Sequence, residues 1–184
     1  MIYKIEHTEK AAPLFFGWQE TLIWSCLQNV MGEIYADSQD EPCSAMALIG
    51  DFCFLAGRPD RELTMYRPEN CKKDFMIVVP QTKEWEAVIE ECYREKAKKT
   101  VRYAIKKEPS VFDTEKLQQA VRELPQEYTL KMIDEEWFYR CGEIPWCCDF
   151  VSLYRDYERY RKHGLGVLIL KDGEVVAGAS SYSG

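Results

Sequence analysis

Residues 167–183 constrain the fold of this chain more tightly than any other stretch. Val167, Leu168, Ile169 and Leu170 form an apolar run, Asp172-Gly173 interrupts it, and the chain returns through Val175, Val176 and Ala177. Asp-Gly supplies the positive-φ conformations that a two-residue turn needs, so the segment predicts a β-hairpin. Gly50-Asp51 does the same between the apolar runs 45–49 and 52–56. Residues 75–79, a continuous apolar run, read as a buried strand, and 100–105 as a strand with Val101, Tyr103 and Ile105 on one face.

Helical periods separate these strands. Thr82 suits an N-cap, and Trp85, Val88, Ile89, Cys92 and Tyr93 follow at i, i+3, i+4, i+7 and i+8. Asp113 starts a second helix with Leu117, Ala120, Val121 and Leu124, which Pro125 ends. The stretch 13–31 is predicted to be helical after Gly17, with Trp18, Leu22 and Cys26 on one stripe. Residues 58–70, holding Pro59 and Pro68, read as a loop. From Tyr128 the order is a strand over 128–133, a helix over 135–141 capped by Asp134 and closed by Gly142, and a loop with Pro145 and Trp146. A helix over 153–163, capped by Ser152, follows and leads to the hairpin. Gly164 fits a left-handed position at that helix's end. No internal repeat is visible.

Charge narrows the partners. With 24 basic and 31 acidic residues the net charge is −7, which forgoes the counterion release that rewards nucleic-acid binding. The basic run from Arg94 to Lys99 and Arg102 reads as a solvated helix end. Nothing approaches the about 18 consecutive apolar residues of a membrane span. The amino-terminal residues lack a signal-peptide pattern, so a cytoplasmic location is expected. Eight cysteines are present, but no two have the two-residue spacing that places thiolates on one zinc ion. Reduced, mostly buried thiols and no metal are expected, with Cys26 and Cys92 on apolar helix faces and Cys53 in a strand.

The order from Tyr128, together with Gly164-Leu165-Gly166 through Asp172-Gly173 to Ser180-Ser181-Tyr182, resembles the opening half of the GNAT acyltransferase domain. The wording around Trp137 and from Asp149 onward is similar to the antibiotic-resistance acetyltransferases of the zwittermicin A resistance group. Gly17-Trp18-Gln19-Glu20 and Ile23-Trp24-Ser25-Cys26 resemble its amino-terminal region. The fold class implied is α/β, an α+β mixed sheet. Residues 1–125 would form an α+β region, either a degenerate GNAT-like half or a separate α+β domain that shapes the acceptor site, and 126–184 an incomplete GNAT domain.

That resemblance implies transfer of an acetyl group from acetyl-CoA to a small-molecule amine. In the family a splayed strand pair receives the thioester, and a loop of pattern Arg/Gln-x-x-Gly-x-Gly/Ala offers N–H groups to the pyrophosphate at a helix start. Arg161-Lys162-His163-Gly164-Leu165-Gly166 matches that pattern literally. It is read here as a helix end, where carbonyls rather than N–H groups face the loop. The expectation is therefore that acetyl-CoA is the co-substrate of a complete domain, and that this chain alone neither binds it tightly nor turns over.

Asp149 and Glu143, in the loop that overhangs the acceptor site in the resembled fold, are the candidate general bases. Trp146, Ser180, Ser181 and Tyr182 are candidates for lining the acceptor cleft. His163 is explained as a cation at a helix carboxyl end. The competing reading is a non-enzymatic module that pairs through an exposed last strand, with a homo-oligomer as one form of that pairing. A thiol redox or metal protein is a third.

Overall fold

The computed structural model of the chain describes residues 1–68, 75–103, 108 and 110–181. Two sheets organise it. The first contains β1 (Tyr3–Ile5), β2 (Glu33–Ala36), β3 (Ser44–Ile49), β4 (Phe52–Gly57) and β5 (Ile77–Pro80), adjacent in that order. Neighbours from β1 to β4 are antiparallel, while β5 joins β4 in parallel. The Gly50-Asp51 hairpin forms as its chemistry requires: Ile49 pairs with Phe52, and Gly50 takes a φ of 55°.

β3 shows why this sheet is the molecule's centre. All six of its residues are buried. Ala45, Ala47 and Ile49 join one apolar cluster with Ile23 and Cys26 of α1 (Thr21–Leu27). Met46 and Leu48 join another with Leu63 of α2 (Arg61–Met65) and Trp85 of α3 (Lys83–Tyr93). A strand covered on both faces must be apolar throughout, which is what residues 45–49 show. Thr82 caps α3 as expected, its Oγ1 accepting from the Trp85 N–H at 3.5 Å.

α4 (Thr114–Arg122) links the sheets, its Lys116 N–H bonded to Asp113 at 3.0 Å. The second sheet has β6 (Tyr128–Met132), β7 (Gly166–Lys171) and β8 (Glu174–Ser180), antiparallel and in that order. Asp172 and Gly173 form the turn with φ values of 52° and 81°. α5 (Glu135–Glu143) and α6 (Tyr157–His163) stand between β6 and β7. One buried cluster draws on both sheets, including Ile34 and Phe54 from the first and Ile133, Trp137, Phe138 and Leu168 from the second. The two sheets begin alike: a strand, a helical excursion, then two more strands, all antiparallel neighbours in chain order. The repeat is one of topology and leaves no trace in the residues.

Several expectations need correction. The helix after Gly17 spans only Thr21–Leu27, after 3-10 turns at Thr8–Lys10 and Ala12–Phe15; positive φ at Gly17 and Asn29 bounds it. Residues 58–70 are not all loop, because Asp60 caps α2 by accepting from the Leu63 N–H at 2.7 Å. The helix expected over 153–163 starts at Tyr157. Asp156 is its cap, at 2.8 Å from the Arg159 N–H, and a 3-10 turn, Cys148–Phe150, precedes it. α5 runs through Gly142 to Glu143.

Gly164 has a φ of −91°, extended rather than left-handed. Space requires glycine there, since a Cβ would lie 2.6 Å from the Tyr160 ring. Residues 100–103 form no strand, and Ile105 lies outside the described residues. The stripe of α4 forms but is uncovered, with Leu117 54% and Val121 56% exposed. Among the described residues no helix is long and apolar enough to cross a membrane.

Candidate functional site

The loop from α5 to α6 folds over β8. Its 3-10 turn, Cys148–Phe150, packs on that strand. The position is fixed by a small residue: a Cβ on Gly178 would meet Phe150 Cε2 at 2.7 Å and Leu168 Cδ2 at 2.9 Å. Trp146 stands edge-on to Phe150, ring centroids 6.1 Å apart, and remains 54% exposed. It therefore lies at the surface rather than in the core. Asp149 lies in the same turn and Glu143 at the last residue of α5; both carboxylates are exposed.

At the far end of β8 the serine hydroxyls are engaged. Ser180 Oγ lies 3.3 Å from the Tyr160 hydroxyl. Ser181 Oγ lies 3.0 Å from the Tyr154 hydroxyl and accepts from the Leu165 N–H, also at 3.0 Å. Both tyrosines are buried, at 5% and 2% exposure for Tyr154 and Tyr160. Burial pushes the Tyr160 phenol above its ordinary range, against the opposing pull of the Ser180 hydrogen bond. It is thus neutral at ordinary pH. These pairs tie the 3-10 loop and α6 to the exit of β8. Tyr182 lies outside the described residues.

Tyr154 and Phe150 were not singled out in the sequence. A signal existed, because Trp146, Phe150 and Tyr154 recur every fourth residue.

The literal phosphate-loop match sits where a helix ends. The Gly164 N–H donates to the Tyr160 carbonyl at 2.6 Å, and β7 begins at Gly166. The last carbonyls of α6 face this stretch, so it does not fit a pyrophosphate. His163, half-buried, closes that helix.

The thiols follow burial. Cys26 donates to the Leu48 carbonyl at 3.7 Å, and burial pushes its pKa up to about 12. Cys141 is likewise pushed up to about 12, first by burial and then by Cys147 beside it. Cys53 is buried and Cys92 partly so. Among the described residues no group of three or more His, Cys, Asp or Glu side chains is placed to hold a metal ion.

The mixed-sheet α/β architecture places this protein, as a class, with acyltransferase-type folds. Residues 12–184 match the GNAT acetyltransferase family, and the chain belongs to that family. A solved structure, a GCN5-related N-acetyltransferase-like protein from Streptococcus suis 89/1591, is similar at 42% identity and a TM-score of 0.78. The match covers 96% of this chain and 70% of that one. No curated protein matches this chain.

Proposed function

We propose that this protein serves transfer of an acetyl group from acetyl-CoA to a small-molecule amine. Within that reaction, residues 126–184 form the acceptor side of a GNAT domain and residues 1–125 a degenerate GNAT-like half. The family match over residues 12–184 is the observation that carries this reading. The loop over β8 supports it, with Trp146 as a wall and Asp149 and Glu143 as exposed carboxylates able to take a proton from an ammonium. A zwittermicin-resistance type of acceptor chemistry is the finer form of the proposal. A reducing, cytoplasmic setting accords with the buried thiols Cys26, Cys141 and Cys147, which pack as small apolar groups.

The described residues do not supply a pyrophosphate cradle at Arg161 to Gly166, so this chain by itself is proposed to be inactive. A thiol-release assay with acetyl-CoA and a panel of small amines tests this. Background rates from this chain are expected, and turnover once it is extended by the part of the Streptococcus suis neighbour that lies outside the match. In that chimera Asp149→Asn or Glu143→Gln should lower kcat about 10²-fold or more if it is the general base. Turnover by this chain alone would end the inactive reading, and failure of both carboxylate variants to slow the chimera would remove them as candidates.

One observation favours a second reading, an interaction module. β8 is an edge strand without proline or lysine.

A further inference from the structure

Ligand crevices in open α/β sheets lie beyond the carboxyl ends of parallel strands. Among the described strands, β4 and β5 are the parallel pair, with Phe52 to Leu55 in register with Ile77 to Pro80. The space beyond their ends is filled by the chain itself. Gln81 follows β5 directly. Its Oε1 accepts from the Gly57 N–H at 3.0 Å, its Nε2 donates to the Leu14 carbonyl at 2.7 Å, and its own N–H donates to the Leu55 carbonyl at 3.0 Å. Trp85, fully buried, donates from Nε1 to the Gly57 carbonyl at 2.9 Å. Both backbone groups of the last residue of β4 are thus held by side chains that follow β5.

The crossover itself offers an anion little. The Gly57, Arg58, Leu63 and Thr64 N–H groups are all bonded within the chain, and Pro59 has none. The Leu63 N–H is taken by the Asp60 carboxylate, the helix's own cap. Glu62 adds a second carboxylate to the first turn of α2. The nearby cations are engaged, Arg61 with Glu91 and Arg58 with Asp37 at 3.8 Å.

We infer that the crevice at the β4–β5 ends is closed to ligand from within, with the Gln81 and Trp85 side chains as the stopper. The first sheet then binds no phosphate-bearing thioester, and its role is to support the second. Only the choice of acetyl-CoA as the probe rests on the acetyl-transfer reading.

Hydrogen exchange on the full chain, with and without saturating acetyl-CoA, tests the inference. The expected result is unchanged exchange over residues 57–64 and 81–86. Gln81→Ala should speed exchange of the Gly57 amide about fivefold, the scale of one lost hydrogen bond. Protection of residues 57–64 by acetyl-CoA overturns the inference while leaving acetyl transfer intact. So does a Gln81→Ala protein whose Gly57 amide is as protected as before. Protection confined to residues 126–181 upholds both readings. No protection anywhere upholds the closed crevice and removes support for cofactor binding by this chain.

Discussion

At the scale of single residues, two glycines with the same backbone separate conformational cost from steric cost. Gly57 and Gly173 both have a φ of 81°, but a Cβ on Gly57 would drive into the Cys43 carbonyl oxygen, whereas one on Gly173 meets nothing within 4 Å. Gly173→Ala should cost about 1–2 kcal/mol for the left-handed backbone alone. Gly57→Ala should cost about 1–3 kcal/mol more from overpacking, read as a wider drop in the urea midpoint. Asp134 offers a pH-resolved case. Its carboxyl is held below its ordinary range, chiefly by the Trp137 N–H and further by Lys131. A depressed folded-state value means the stabilisation is full above the unfolded value and fades as pH falls through the lowered one. Asp134→Ala should therefore cost about 1 kcal/mol near neutrality. That gap should narrow below the ordinary carboxylate value of 3.8 as the charge-dependent part of the cap is lost, while the stability of Asp134→Asn relative to Ala should show no such pH dependence. Equal destabilisation of Asp134→Ala across the whole acid titration would rule out a charged cap.

Among elements, legibility tracked whether the signal was local and long enough. Thr82, Asp113, Asp134 and the turn residues 50–51 and 172–173 act on their immediate neighbours, and the caps and hairpins they predict are present. β2 has four residues and α2 five, too few for either period to register, and both owe their form to the sheet they pack on. The helix over 153–163 is shorter than its stripe suggests because Leu153 shares the apolar face of Tyr157 and Tyr160 while Asp156, not Ser152, caps the helix. α3 shows what a legible helix is worth. Trp85 has no exposed surface and closes the second apolar cluster, so Trp85→Ala should cost about 3–5 kcal/mol in chemical denaturation. A loss under about 1 kcal/mol would mean that the cluster collapses around the missing ring.

For the molecule as a whole, the candidate carboxylates were legible only through resemblance, since an exposed Asp149 carries no periodic or turn signal of its own. The roles of Ser180 and Ser181 depend on tyrosines 20 and 27 residues away, a pairing that no local pattern encodes. The same long-range logic bears on association. β7 and β8 bury Leu168 and Val175 on one side, while Leu130 and Met132 of β6 stay 43% and 52% exposed. They pair across the ladder with Ile169 and Val167. Among the described strands β8 is an edge of small residues with one terminal carboxylate, Glu174, and none of the lysines or prolines that usually guard edges. Antiparallel pairing of two β8 strands centred on Ala177 would set Glu174 against Ser180 and Val176 against Gly178, with no like charges opposed. Sedimentation of the free chain should therefore show concentration-dependent dimers. Val176→Lys, at a position already 47% exposed, should return it to a monomer with its thermal midpoint nearly unchanged. A wild-type chain that stays monomeric at high concentration, or a lysine variant that still dimerises, would exclude this edge as the contact.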